Sequence, residues 1–332
     1  MALENEFRPI RAVLKSNSKV KKKQYLKAGY ASVAKNATPA KRAIAGHFSP
    51  TPKSNLVFKG GKTIRNLSFY NFYVGGSTSW KIDDTKNIDW ALNEALNDKY
   101  LNNVIRQYFG NKAIKSVFKG SKVLAGKKPD KFTEGNAHAL LSQLYSSGQL
   151  NGFDFLNTVI NFFLPKDTIL TDDKNPADKK TKAKKGVPFE DEDSSLEGLG
   201  GYHGSLHLDA KTTLYYAVGV YSDRLKNGKE NGIISFDQPW KNIVATFYHE
   251  LCEARTDADV DDAIRTNKES YCGWVNDQGE EIGDIPMSEA GPDLSSVMIE
   301  VELANKKGKV PIQIQYSNAV NGPEGPIKSL HK

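Results

Sequence analysis

At 332 residues, with 39% hydrophobic and 26% charged side chains, the chain has the composition of a folded globular protein and is long enough to bury a sizeable core. No apolar run approaches the roughly 20 residues that cross a bilayer, and the N-terminus shows no basic and apolar regions of a secretory signal, which reads as cytoplasmic from sequence while leaving the compartment unknown. The formal net charge of +7 is concentrated in the first fifty residues, where Arg8, Arg11, Lys15, Lys19, Lys21, Lys22, Lys23, Lys27, Lys35, Lys41 and Arg42 face only Glu4 and Glu6.

Residues 1–54 read as a basic, flexible N-terminal extension ending near Pro50-Thr51-Pro52. Without stacking aromatic residues or a nucleic-acid module, such an arm offers at most weak, non-specific contact with an anionic partner. Residues 55–325 read as a single domain. Gly60-Gly61-Lys62-Thr63 predicts a turn, and the aromatic run Leu67–Val74, stopped by Gly75-Gly76, a buried strand. Ile88, Ala91, Leu92, Ala95 and Leu96 recur at helical spacing, a pattern that Tyr100, Val104, Ile105 and Tyr108 continue to Gly110. A second helix runs from about Glu134 to Ser147-Gly148 and carries His138. Phe155–Leu164 predicts another buried strand. Residues 172–195 lose all apolar pattern, with a lysine-rich block before Glu190-Asp191-Glu192-Asp193, and read as a charged, mobile insertion.

Order resumes at Gly200-Gly201-Tyr202-His203-Gly204-Ser205, which reads as a glycine-flanked turn. Thr212–Tyr221 has the composition of a strand. A helix follows from Gln238-Pro239-Trp240, with Pro239 and Asp237 suited to its N-terminus, and a last strand spans Val310–Asn318. Strands alternating with helices predict an α/β fold with a mixed sheet. Cys252 and Cys272 supply neither a disulfide framework nor a CxxC pair. No Gly-x-Ser-x-Gly or P-loop occurs, which argues against serine-hydrolase and nucleotide chemistry.

The helix at about 239–256 carries the densest chemistry. His249 and Glu253 stand four apart on one face, with Glu250 rotated by about 100°. That is the layout of a zincin active-site helix, in which residues i and i+4 hold zinc and the intervening Glu is the general base, except that Glu253 replaces the usual second His. An amphipathic helix with a His/Glu/Glu face would have the same pattern. A third ligand is required for a catalytic zinc. On a continuous helix Asp257 lies about 12 Å along the axis from His249, so it can join only if the helix breaks near Arg255-Thr256. His203 is the favoured distant candidate, with His207, Glu281 and Asp284 as others. The metal set read from sequence is thus His249, Glu253, Asp257 and His203 around catalytic Glu250. Zinc fits best, and the carboxylates also admit manganese or calcium. Tyr202, Tyr248 and Arg255 are candidates for charge stabilisation.

Taken together, the ordered segments resemble a known family, the bacterial zincin-like proteins related to plant Exordium and phosphate-induced proteins. The resemblance rests on Gly60-Gly61 before Phe69–Gly75, Leu144–Leu150 leading into Val159–Pro165, and Gly201–Ser205. It continues through His249-Glu250-Leu251-Cys252-Glu253-Ala254-Arg255-Thr256-Asp257, then Trp274, Asp277, Gly279 and Glu281–Asp284, with Gln315–Asn318 behind, and covers about residues 55–320. It implies a zincin-like fold and, for the bacterial branch, a metallopeptidase acting on a peptide or protein. The plant relatives have lost the His-Glu pair and act outside the cell in growth without catalysis. The alternative is therefore a binding or signalling protein on the same scaffold, with a structural or vestigial metal site; relatives are often secreted.

Overall fold

Five strands make the central sheet: β1 (Asn66–Tyr73), β2 (Lys115–Val123), β3 (Thr158–Leu164), β4 (Gly201–His207) and β5 (Thr213–Val220). They lie in the order β2-β1-β3-β5-β4, parallel except that β4 runs antiparallel to β5 at the edge. The computed structural model describes residues 42–46, 48–171, 194–266, 268–291 and 293–328. Most of the basic extension and of the 172–195 insertion lies outside the described residues. Within the extension, Arg42 pairs with Glu324 at 2.8 Å and Ile44 bridges to the same residue.

Central strand β3 is buried along its whole length, as its run of apolar residues requires when both faces are covered. Helix α3 (Glu134–Ser146) packs on one face through Ala137, Leu141 and Leu144. Its N-terminus is closed by a capping box between Thr133 and Asn136. The opposite face receives α1 (Ile82–Asn97) and α4 (Pro239–Thr256). The helical pattern that runs on to Gly110 is interrupted at Asp98, whose Oδ1 accepts from Tyr100 N at 2.8 Å and Leu101 N at 3.1 Å and so starts a separate α2 (Lys99–Ile105).

Helix α4 has Pro at its first turn, and every residue from Lys241 to Thr256 is buried. Its apolar side docks on the sheet, where Phe247 stacks on Phe163 at 3.8 Å between ring centroids. Gly219 on β5 makes room for that ring, because a Cβ there would fall 2.5 Å from Phe247 Cε2. Asp237 does not cap the helix; it pairs with Lys241 at 3.0 Å. Gly201–Ser205 is not a turn but part of strand β4. Its first glycine serves proximity, since a Cβ at Gly201 would meet Val218 O at 2.6 Å and Thr246 Cγ2 at 2.9 Å.

Beyond α4 come the short helix α5 (Val260–Thr266) and α6 (Asp284–Ala290), then a hairpin of β6 (Met298–Glu302) and β7 (Lys309–Gln313). The last apolar run divides at Ile314: β7 pairs with β6, whereas β8 (Gln315–Ser317) pairs with β9 (Gly322–Glu324). This C-terminal layer closes over the polar face of α4. Among the described residues, no helix is long and apolar enough to cross a membrane.

Candidate metal centre

Three elements converge on the C-terminal half of α4. The helix contributes His249, Glu250 and Glu253, strand β4 contributes His203, and the segment entering α6 contributes Glu281 and Asp284. All six are buried, with Asp284 at 7% the most exposed. Removing so many ionisable groups from water is costly unless they are paired or bind a cation.

The two imidazoles have fixed tautomers. His203 Nε2 lies 2.9 Å from the carbonyl oxygen of Asp257, which can only accept, so Nε2 carries the proton and Nδ1 the lone pair of the neutral ring. His249 Nδ1 donates to Gln313 Oε1 at 3.0 Å. Gln313 is itself oriented, because its Nε2 donates to the carbonyls of Gly283 and Ile314 while Gln315 Nε2 donates to Oε1 at 2.8 Å. The neutral His249 ring therefore presents Nε2 as a lone-pair donor, the arrangement that a ligating His adopts when its other nitrogen is tied to an acceptor.

The carboxylates are similarly divided. Glu253 Oε1 accepts from Gly283 N at 3.1 Å, and Asp284 Oδ2 accepts from Glu281 N at 3.1 Å. The remaining oxygens face His249: Nε2 lies 3.0 Å from Glu253 Oε2 and 3.9 Å from Asp284 Oδ1. His249 Nε2 and Glu253 Oε2 are out of line for a good hydrogen bond, yet close enough to attract as an ion pair when the ring is protonated. Ligand atoms on a tetrahedral zinc, with bonds of about 2.0–2.1 Å, stand about 3.3 Å apart. One donor atom each from His249, Glu253 and Asp284 all lie within 4.8 Å of one another, as do those of His203, Glu250 and Glu253. Both sets fit a cation.

The electrostatics follow from this crowding. Burial would lower the His249 pKa, but the charges of Glu253, Glu250 and Asp284 outweigh it and push it up to about 10. His203 is likewise pushed up to about 9, with burial opposed by Glu250 and Glu253. Burial raises Glu250, and burial together with neighbouring acids, Glu253 first, holds Glu281 and Asp284 well above the carboxylate range. A cation binding among these groups competes with protons for the same atoms.

Helix α4 does break after Thr256, with Asp257 at φ −148° and ψ 80°. Asp257 nonetheless joins neither of the two sets. Its Oδ1 accepts from Gly273 N at 2.9 Å, and its carbonyl anchors His203. Burial pushes its carboxyl up to about 7. Gly273 permits this close approach, since a Cβ there would sit 2.0 Å from Thr256 O. Arg255 points elsewhere, donating to the carbonyls of Arg65 and Lys115 and to Ser116 Oγ. Tyr248 lies against Cys252 in the apolar core. His138 bonds to Tyr216 Oη at 3.1 Å, and His207 forms a separate group with Asp259 and Asp262.

Sequence reading misses Gln313. Its signal is the pair Gln313 and Gln315, two amides at strand spacing inside an otherwise apolar run, both buried. Comparison with known proteins finds no match among family models, curated proteins or solved structures.

Proposed function

We propose that the chain is a metal-dependent peptidase of zincin type, with His249 Nε2, Glu253 Oε2 and Asp284 Oδ1 holding one divalent cation and Glu250 as proton acceptor. The observation that carries this reading is the convergence of buried His249 Nε2, Glu253 Oε2 and Asp284 Oδ1, with Nε2 3.0 Å and 3.9 Å from the two oxygens. Their four-residue spacing on one helix, with Glu250 between, supports the same reading. Imidazole nitrogen in the set favours zinc, or manganese, over calcium, which prefers oxygen donors.

A bound cation of this kind supplies Lewis acidity and lowers the pKa of water at the site. The chain's own residues do the rest. Glu250 keeps Oε1 without a hydrogen-bond partner, and burial raises its proton affinity, so it is suited to take a proton at that oxygen and pass it to a leaving amine. His203 Nδ1 lies 3.4 Å from Glu250 Oε2 and, when protonated, holds that carboxylate in place. Gln313 holds the His249 ring, and Gly283 N holds Glu253. Resemblance to the zincin-like bacterial proteins supports a peptide or protein substrate.

Burial supports a second reading. His249, Glu250, Glu253 and Glu281 have no exposed surface, and closed sites are typical of structural metals, whereas catalytic ones keep an open position. The alternative is therefore a binding protein with a structural cation. Peptide-library cleavage by the metal-loaded full chain, with Glu250→Gln as control, separates the two. Cleavage lost in Glu250→Gln with metal retained supports the peptidase; no cleavage by either protein supports the structural cation.

A further inference from the structure

The site holds more donors than one ion uses. Glu250, Glu253, Asp257, Glu281 and Asp284 are five buried carboxylates beside two imidazoles. Among the described residues, no lysine or arginine forms an ion pair with any of them. With both rings neutral and Glu250, Glu253 and Asp284 ionised, as ligation requires, one dication leaves one negative charge, and each proton lost from Asp257 or Glu281 adds another, so the site has charge for a second cation.

The second location is marked by geometry. With its Nε2 proton committed to Asp257 O, neutral His203 turns the Nδ1 lone pair toward two carboxylate oxygens, Glu250 Oε2 at 3.4 Å and Glu253 Oε2 at 3.8 Å. His203 Nδ1 is within hydrogen-bond reach of Glu250 Oε2, and a cation taking the place of the proton between them would meet three ligand atoms. Glu253 is common to both groups, and its Oε2 lies 3.0 Å from His249 Nε2 and 3.8 Å from His203 Nδ1. A carboxylate shared in this way occurs in two-metal centres, whose ions stand about 3.5–4 Å apart.

We propose that the centre binds two divalent cations, the second held by His203 Nδ1, Glu250 Oε2 and Glu253 Oε2, with Glu253 bridging to the ion at His249 and Asp284. This rests on the metal centre proposed above and adds an ion to it. Glu250 Oε1 stays outside the second set and keeps its role as proton acceptor.

The test is elemental analysis of the full chain, stripped with chelator, reloaded with Zn²⁺ and desalted. Two zinc ions per chain in the wild type, one in His203→Ala and two in His138→Ala are expected. One zinc in the wild type and one in His203→Ala overturns the second ion and leaves the single-ion reading intact, whereas none in the wild type overturns both. Two in His203→Ala overturns the assignment to His203. Should that variant fail to fold by circular dichroism, His203→Gln takes its place. Loading the wild type with Co²⁺ gives an independent reading: magnetically coupled ions support the shared Glu253, and two uncoupled signals overturn it.

Discussion

His249 Nε2 and Glu253 Oε2 stand 3.0 Å apart, and their spacing on α4 is only part of the reason. The ring of His249 is turned by Gln313 on β7, and the carboxylate of Glu253 is held by the backbone of Gly283. The C-terminal layer thus sets the geometry of residues that the helix carries. Perturbing that layer should alter cation binding without touching a ligand.

Gln313→Leu removes the acceptor for His249 Nδ1–H. Loss of such an outer partner typically weakens metal binding about 10–100-fold. Competition titration with a chelator should find a loss of that order in Gln313→Leu and a smaller one in Gln313→Glu, which keeps an acceptor oxygen.

Gly283→Ala should be damaging for steric reasons, since the backbone there is in an ordinary helical conformation. Its Cβ would fall 2.3 Å from His249 Nδ1 and 2.9 Å from Glu253 Oε1. Overpacking of this kind costs about 1–3 kcal/mol. Denaturant unfolding should register that loss, together with weaker zinc retention.

Arg255→Met tests the separation of Arg255 from the centre. The change removes the hydrogen bonds that Arg255 gives to the part-buried carbonyls of Arg65 and Lys115 and to buried Ser116 Oγ, at a net cost of about 0.5–1.5 kcal/mol each. Stability should fall while zinc content stays at the wild-type value.

Metal-free protein should lose stability as pH rises. His249 and His203 have folded pKa values raised to about 10 and about 9 from 6.5, so their contribution is complete below about pH 6.5 and is lost as pH climbs through those values. Asp257, raised to about 7 from 3.8, loses its contribution with rising pH over that lower window. The folded state binds more protons throughout, and the slope is negative. Zinc displaces protons, so its stabilisation should grow with pH over the same interval. Melting temperatures of chelated and zinc-loaded protein between pH 6 and 9 should diverge.

The main helix and the inner strands are legible because burial on both faces leaves uninterrupted apolar runs, as in Thr158–Leu164. Strand β2 is hidden. It is an edge strand whose outward positions carry Lys115, Lys119 and Lys122, the charges that protect an edge from pairing with another chain. Gly201 reads as a turn signal because its actual purpose, close approach of α4, depends on a helix some forty residues later in the chain. In the centre, the i,i+4 pair on α4 is visible because both residues lie on one helix. The roles of Asp284, Gln313 and Asp257 depend on how α6, β7 and the segment after Thr256 fold back, which local spacing does not encode.

The most direct measurement is the metal content of the purified 332-residue chain, wild type against His249→Ala and Glu253→Ala, after incubation with zinc. Stoichiometric zinc in the wild type, lost in both variants while circular dichroism stays native, is the predicted result. A wild type that retains no metal, or variants that keep all of it, would contradict a cation at His249 and Glu253.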